Sequence, residues 1–217
     1  MKQFIKVFLL ATLLLLIMVY GDVRTGFLDV SHWDLLMALL GLGDPTLEMT
    51  VLDFRLVRII LALLIGVGLG MAGAVFQTIS RNDLASPSIL GVNAGAGLGV
   101  ILLVYFLNSD TALSMWALAL VALLGGLATA GLIYRLAYHK GKVLNPQALI
   151  LTGIAVAAGI HAIQMLLIVR LDPNKFHVVN TWIIGSIANN SWAHVALLAP
   201  VVIILGLLLW ARYMDLN

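Results

Sequence analysis

Residues 56–79 read LVRIILALLIGVGLGMAGAVFQTI, an apolar run in which Arg58 is the single charge. A helix rises about 1.5 Å per residue, so roughly 20 apolar residues are enough to cross a bilayer. The run is apolar on every face, whereas a strand of a membrane barrel alternates apolar and polar residues. The stretch therefore predicts a helix that spans a membrane.

Five further apolar stretches resemble this one, and the composition of the whole chain agrees with them. Of 217 residues, 62% are hydrophobic and 10% are charged, whereas soluble domains have about 45–50% apolar and about 25% charged residues. So few charges could not cover the surface of a soluble globule. We therefore predict an all-α integral membrane protein with about six transmembrane helices, at residues 4–20, 56–79, 89–107, 113–134, 148–169 and 195–213.

The composition also argues against several classes of function. The basic residues are scattered between apolar runs and form no basic stripe, so we expect no nucleic-acid partner. The chain has no cysteine, and His161 has no second ligand near it in the sequence, so we expect no metal site. The motifs of metalloproteases, nucleophile-elbow hydrolases and phosphate loops are absent from the sequence. We expect neither an enzyme nor a cofactor.

The distribution of Lys and Arg predicts which side of the membrane each connection faces. Lys2 and Lys6 precede the first apolar run, and no small-residue cleavage site follows it, so we expect a retained first helix. With the amino terminus in the cytoplasm, the inner connections hold more basic residues than the outer ones, above all residues 135–142. We therefore expect both ends of the chain on the cytoplasmic side.

Two outer connections are long enough to form structure of their own. Ser31 and Asp34 have the spacing of a capping box, and Trp33 begins an apolar stripe at helical spacing. This pattern predicts a short amphipathic helix at the membrane interface. In the second connection, residues 172–194, the apolar piece at 182–187 is too short to cross the membrane.

Glycine recurs along the run 56–79. Gly68, Gly70 and Gly73 match the spacing of the dinucleotide-binding fingerprint, but that fingerprint requires a strand followed by the start of a helix. Here the glycines lie inside an unbroken apolar run. Together with Gly66 they predict a smooth helix face against which another helix can pack closely.

The run is part of a longer motif, residues 55–100, in which two arginines stand at the start of a glycine-rich helix that ends in Gln77. A turn and a helix of small residues follow it. This order resembles the signature region of the FecCD-type permeases of ATP-binding-cassette (ABC) importers, although Val57 and Asp83 stand where that family has proline. The residues that carry the resemblance are Arg55, Arg58, Gly66 to Gln77, Arg81, Asn82, Leu84, Ala85, Pro87, Leu90, Gly91 and Asn93 to Gly97, followed downstream by residues 149–155, Trp182, Gly185 and Ser186.

The resemblance implies the ten-helix fold of a type II ABC importer permease, and it covers essentially the whole chain. Residues 1–217 would form the amino-terminal part of a transmembrane permease domain, truncated before the carboxyl-terminal coupling helices and about four spans. The implied partners are a second permease subunit, identical or related, a substrate-binding protein and separate cytoplasmic ATPase subunits. The implied location is the bacterial cytoplasmic (inner) membrane, where lipid surrounds the helices.

The resemblance also implies a cargo. FecCD-type permeases form the translocation pathway for ferric siderophores, haem or cobalamin. Residues 85–91, ASPSILG, look nearer to siderophore members than to cobalamin members of the family. Ferric siderophore is therefore the expected cargo, with haem and cobalamin as alternatives.

Individual residues take expected roles from the same resemblance. Arg55 and Arg58 would dock the acidic residues of the binding protein, although snorkelling to the interface is the ordinary explanation of arginines at helix ends. Arg81, Asn82 and Pro87 would form a cytoplasmic turn, which either contacts the ATPase or is a plain turn.

Polar residues inside the apolar runs are candidates to line the pathway. A polar side chain at this depth faces the interior of the bundle or a watery cavity. Such residues either line the pathway or hydrogen-bond to another helix, and the sequence leaves both open. The candidates are His161, Gln164, Gln77 and Asn93, while Gly91 and Gly95 join the glycines expected at helix contacts.

Three rival functions remain open at the level of sequence. An ion-coupled secondary transporter would carry ionisable residues at mid-membrane, and none of the six runs has a central Asp, Glu, Lys or Arg. An intramembrane enzyme would need motifs that the sequence lacks. A non-transporting fragment with an assembly role is compatible with the shortness of the chain.

Overall fold

The structure is a computed structural model that describes residues 2–25, 30–107, 115–138, 145–188 and 190–212. Within these ranges its regular secondary structure is entirely helical. In chain order the α-helices are α1 (Lys2–Arg24), α2 (His32–Leu39), α3 (Pro45–Glu48), α4 (Leu56–Ser80), α5 (Val92–Phe106), α6 (Met115–Ala137), α7 (Pro146–Ile168), α8 (Pro173–Ile184) and α9 (Trp192–Ala211). A π-helical turn, Met49–Arg55, connects α3 to α4, and a 3-10 turn, Pro87–Leu90, precedes α5.

Five segments of the described chain are long and apolar enough to cross a membrane. Few residues of each segment are buried inside the chain, so most of their surface is left for lipid or for other chains. The predicted all-α membrane fold is therefore confirmed. The segments are Ile5–Arg24, Pro45–Ser80, Trp116–Ala137, Pro146–Ile168 and Trp192–Ala211.

The predicted third span, residues 89–107, is shorter than expected. Gly91 has a φ of +74°, a left-handed conformation that ends the 3-10 turn and starts α5 only at Val92. The resulting helix has 15 residues, which rise about 22 Å where the hydrocarbon core is about 30 Å thick. The predicted third span is therefore present as the helix α5, but it begins later than the sequence suggested.

The predicted amphipathic helix after the first span is confirmed as α2. The Ser31 side chain accepts hydrogen bonds from the amides of Trp33 and Asp34, and the Asp34 carboxylate accepts one from the Ser31 amide. Trp33 and Leu36 are exposed, as an apolar face laid on an interface requires. A left-handed glycine, Gly41, follows the helix.

The next helix, α3, begins at an acidic cap outside the spans. The Asp44 carboxylate accepts a hydrogen bond of 2.8 Å from the Thr46 amide. Hydrogen bonding to this amide lowers the pKa of Asp44 below its ordinary value, because the charged carboxylate is the better acceptor. The cap is therefore complete above the ordinary pKa of an aspartate and is lost as the pH falls through the lowered one.

The described chain divides into two compact units. The first comprises residues 2–70 and 187–212, and its small core joins α2 to the π-helical turn through Val30, Ala38 and Val51. The second comprises residues 71–186.

The second unit is built around α5. Its core places Val100, Ile101 and Val104 of α5 against Val179 of α8, with partly buried side chains of α6 and α7 around them. The helix α5 thus contacts α6, α7 and α8, and small residues allow helix backbones to approach one another closely. The short helix α5 therefore forms the centre of this unit.

Candidate functional site

A buried glutamine links α7 to α5 in the second unit. Gln164 is 8% exposed, and its Nε2 donates a hydrogen bond of 2.8 Å to the carbonyl oxygen of Ala94. Its Oε1 lies 2.8 Å from Nδ1 of His161, one turn away on α7. We call Gln164, His161 and the Ala94 carbonyl the polar bridge.

Glycine makes room for the polar bridge. A Cβ atom at Gly97 of α5 would lie 2.8 Å from the Gln164 Nε2 and 3.6 Å from the Trp182 ring of α8. No side chain larger than hydrogen therefore fits at Gly97 without moving the amide. Three helices meet at this point.

The sequence left open whether Gln164 lines a pathway or hydrogen-bonds to another helix, and in the structure it forms the interhelical hydrogen bond. His161, by contrast, is exposed beyond that contact. Since an amide oxygen can only accept, Nδ1 of His161 is the donor in this contact. No group of three or more metal-ligating side chains occurs in the part of the chain that the structure describes.

The two other pathway candidates lie apart from the polar bridge. The Gln77 side chain is exposed and donates a hydrogen bond of 2.9 Å to the carbonyl oxygen of Asp83, which closes the turn after α4. Asn93 is exposed near the start of α5. The role of all four residues in a pathway stays a prediction.

The predicted turn between α4 and α5 is held by its own polar groups. The Asn82 Oδ1 accepts a hydrogen bond of 3.0 Å from the Leu84 amide, and Arg81 has a φ of +50°. Pro87 begins the 3-10 turn. Leu84 is 90% exposed at the tip, which makes it the most evident apolar contact point of the turn.

Two of the glycines expected at helix contacts lie in very close contacts within the second unit. A Cβ atom at Gly91 would lie 2.7 Å from the Ala157 Cβ, and one at Gly95 would lie 1.9 Å from the Thr129 Oγ1. On the other side of the second contact, a Cβ at Gly125 would lie 2.4 Å from the Gly95 carbonyl oxygen. The backbones of α5 and α6 therefore touch.

The glycine face of α4 has a different environment. Among the described residues, nothing lies within 4 Å of a Cβ built at Gly66, Gly70 or Gly73, and Gly68 is 3.7 Å from Val202 of α9. The positions Gly66, Gly70 and Gly73 are therefore open, and their packing against another helix stays a prediction.

The arginines at the start of α4 bind the end of α1 within the first unit. Arg55 is 6% exposed and donates a hydrogen bond to the carbonyl oxygen of Val23. Arg58 forms an ion pair of 2.6 Å with Asp22, with both side chains about 40% exposed. Cations here complement the negative end of the α1 dipole. Arg58 keeps surface for a partner, whereas Arg55 has very little.

Sequence reasoning missed a further polar contact in this unit. The indole Nε1 of Trp192, the first residue of α9, donates a hydrogen bond of 3.2 Å to the Asp53 carboxylate. Asp53 lies in the π-helical turn that also carries Arg55. Such π-helical turns are rare and often occur at functional sites, but the run of apolar residues around this one gave no sign of it.

A cavity of 520 Å³ opens beside α8 in the second unit. It combines apolar walls with hydroxyl and imidazole groups, a mixture typical of ligand-binding pockets. Its size falls in the range of about 300–1,000 Å³ that holds small molecules. The lining residues include Leu118, His177, Thr181, Trp182 and Ser186.

A family model described as the FecCD transport family matches residues 11–217. The chain is 37% identical over 210 residues to the iron(3+)-hydroxamate import system permease protein FhuG of Bacillus subtilis (strain 168). This match covers 94% of the chain and 62% of the relative. It is 36% identical over 200 residues to the iron-uptake system permease protein FeuC of the same organism, covering 90% and 59%.

A solved structure agrees with these relatives. An ABC transporter assigned to the metal-chelate type, in an inward-facing conformation, matches 98% of the chain with a TM-score of 0.80 and 27% sequence identity. The match covers 63% of that solved chain. The present chain thus spans about 60% of the length of the relatives that it matches.

Proposed function

This chain belongs to the FecCD transport family and is a multi-pass membrane protein, and from that premise we propose that it forms part of the translocation pathway of an ABC importer for iron chelates. The observation that carries the proposal is the 37% identity to an iron(3+)-hydroxamate permease over nearly the whole chain. FeuC is a permease of an iron-uptake system. A ferric siderophore is therefore the proposed cargo, ahead of haem and cobalamin.

The proposal assigns this chain a structural rather than a chemical task. Its helices would form walls that adopt two packed arrangements, as switching proteins do. ATP hydrolysis would come from separate cytoplasmic subunits, and a second permease subunit would complete the pathway. The open positions Gly66, Gly70 and Gly73 of α4 support such a contact with another chain, because nothing among the described residues lies within 4 Å of a Cβ built there.

The proposed orientation places the amino terminus and the turn after α4 in the cytoplasm of a bacterial cell, at the inner membrane. The positive-inside bias of the connections supports this orientation. The turn formed by Arg81, Asn82 and Pro87 would then face the ATPase, with Leu84 as its most exposed apolar side chain.

The proposed docking site for a substrate-binding protein is the pair Arg55 and Arg58. Arg58 supplies the accessible charge, and the buried Arg55 fixes the end of α1 beside it through the Val23 carbonyl. Exposed charge pairs raise the rate of association and set orientation more than they add affinity. This suits a partner that must deliver its cargo and leave.

The polar bridge is proposed to keep α5 and α7 in register beside the pathway. We expect Gln164→Leu to lower the free energy of unfolding by about 0.6–2 kcal/mol, which spans the values for interhelical hydrogen bonds in a membrane protein and in model peptides. Gln147→Leu is the matched control, because this residue lies on the same helix with an exposed side chain. Unfolding in mixed micelles, followed by circular dichroism, measures both. Equal stabilities would show that the bridge contributes nothing.

Uptake in a chimera tests the proposed function. Residues 11–217 replace the matching part of FhuG in Bacillus subtilis cells that lack their own copy, and radioactive ferric hydroxamate is offered to the cells. We expect uptake well above that of the deletion strain, and none when the ATPase gene of the importer is removed. A chimera that reaches the membrane in normal amounts but carries no iron chelate would refute the proposed function.

A further inference from the structure

We infer that the first unit holds a binding site for an anionic glycerophospholipid, at the place where Arg58 of α4 meets the end of α1. The inference goes beyond the proposed transport function and requires only that α1 and α4 lie in a membrane. It rests on a cavity, on the charges beside that cavity, and on the membrane-spanning character of its walls.

The cavity has a volume of 250 Å³ and lies between α1 and α4. Its walls are largely apolar, and the ion pair between Asp22 and Arg58 supplies their charged part. Pockets that enclose a whole small molecule measure about 300–1,000 Å³, so this one suits a part of a longer molecule. The apolar lining is Met18, Val19, Ile59, Ala62, Leu63 and Ile187.

Three arginines gather around the last turn of α1, beside the charged part of the cavity lining. Arg24 lies in the last turn of α1, Arg55 donates a hydrogen bond to the Val23 carbonyl oxygen of that turn, and Arg58 pairs with Asp22. The Arg24 Nε is buried and has no hydrogen-bond partner among the described residues. The nearest acid along the chain from Arg55, Asp53, accepts its hydrogen bond from Trp192. Cations thus outnumber carboxylates at this end of α1.

Arg58 can bind a second anion without releasing the first. One of its Nη2 donors reaches Asp22 Oδ1 at 2.6 Å, and the side chain is 40% exposed. A guanidinium offers more N–H donors than one carboxylate oxygen uses, and its planar fork fits phosphate oxygens. The remaining N–H donors of Arg58 are therefore suited to bind an anion such as a phosphate ester.

The apolar walls identify which phosphate ester fits. A free phosphate would use the arginine but leave the walls without a partner, and an acidic peptide would bring charge to an apolar surface. A phospholipid satisfies both parts at once, since its phosphate binds at Arg58 and the start of an acyl chain fills the cavity. The rest of the chain would continue into the bilayer along α1 and α4, both candidate spans.

Native mass spectrometry of the whole chain in a mild detergent tests the site. The protein is titrated with phosphatidylglycerol and with phosphatidylcholine of the same acyl chains. We expect phosphatidylglycerol to bind more tightly, and Arg58→Gln to weaken its binding about fivefold, the effect of about one arginine at a membrane surface. Asp22→Asn should tighten it about fivefold by removing the competing carboxylate. This gain cannot arise from misfolding.

Further variants separate the cavity from the charge. Ala62→Phe fills the cavity and should weaken binding of both lipids, whereas Val67→Phe, at an exposed position of the same helix, should change neither. Glycerophosphate, which has the headgroup chemistry without acyl chains, should not displace the bound lipid.

Three results would overturn the inference. The first is equal affinity for the two lipids. The second is no change in phosphatidylglycerol binding in either charge variant. The third is displacement by glycerophosphate, which would indicate a phosphate site without a lipid. If lipid selectivity is absent while Arg58→Gln abolishes capture of a substrate-binding protein, the arginines serve docking alone and the lipid site is refuted.

Discussion

Replacing Gly95 by alanine should destabilise the chain by about 3 kcal/mol, at the upper end of the cost of overpacking a core. The added Cβ would lie 1.9 Å from the Thr129 Oγ1 and 2.6 Å from the Gly125 carbonyl oxygen. The second contact is with backbone, which no rotamer change can move away. The two helices would have to separate, and α5 forms the centre of the second unit.

Gly131→Ala is the matched control for this prediction. Gly131 lies on α6, and nothing among the described residues is within 4 Å of a Cβ there. Both substitutions gain the same helix propensity, about 0.5–1 kcal/mol, so the difference between them isolates the contact. Unfolding in mixed micelles provides the measurement. If the two variants are equally stable, the close approach of α5 and α6 is wrong.

Replacing Gly91 by alanine should cost about 2–3 kcal/mol. Its φ of +74° is strained for any residue with a Cβ, at about 1–2 kcal/mol. The new Cβ would also lie 2.7 Å from the Ala157 Cβ and 2.9 Å from the Gly153 carbonyl oxygen. The conformational strain and the contact act at the same position, where the 3-10 turn meets α5 and α7.

Gly41→Ala separates these two contributions. Gly41 has a similar φ of +69°, and nothing among the described residues is within 4 Å of its Cβ position. It should therefore cost only the strain, about 1–2 kcal/mol, and less than Gly91→Ala. A cost at Gly41 as large as that at Gly91 would show that the packing of Gly91 on α7 has no energetic weight.

The helices were predictable because the length of an apolar run is a strong signal. Their ends were less so. The first helix was predicted to end at Tyr20 but continues to Arg24, where Arg55 and Arg58 bind its last turn from more than 30 positions away. The local sequence around the end of a helix does not reveal partners that lie so far away along the chain.

The predicted start of α5 was wrong for a different reason. Residues 89–91 are apolar or small and extend the apolar run without a break. Only the conformation of Gly91 separates them from the helix, and a glycine in an apolar run gives no sign of its φ. By contrast, Ser31 and Asp34 predicted the start of α2 correctly, because a capping box is a local arrangement.

The candidate site was predictable in part. Gln164 attracted attention as a polar residue in an apolar run, but its partner is the Ala94 carbonyl, a backbone group that every residue possesses. The sequence therefore could not distinguish a pathway residue from an interhelical bond. Gly95 was recognised in the family motif, whereas its partners Gly125 and Thr129 were missed, although paired glycines at 125 and 126 were a usable signal.

The proposed function requires most of all that the helices cross a bilayer, with the turn after α4 inside and the segment after α2 outside. The chain has no cysteine of its own, so Leu84→Cys and Leu42→Cys each introduce a single thiol at an exposed position, 90% and 72% exposed. A membrane-impermeant maleimide added to intact cells should label Leu42→Cys at once and Leu84→Cys only after permeabilisation. Labelling of both, or the reverse pattern, would contradict the orientation and with it the proposed place of this chain in an importer.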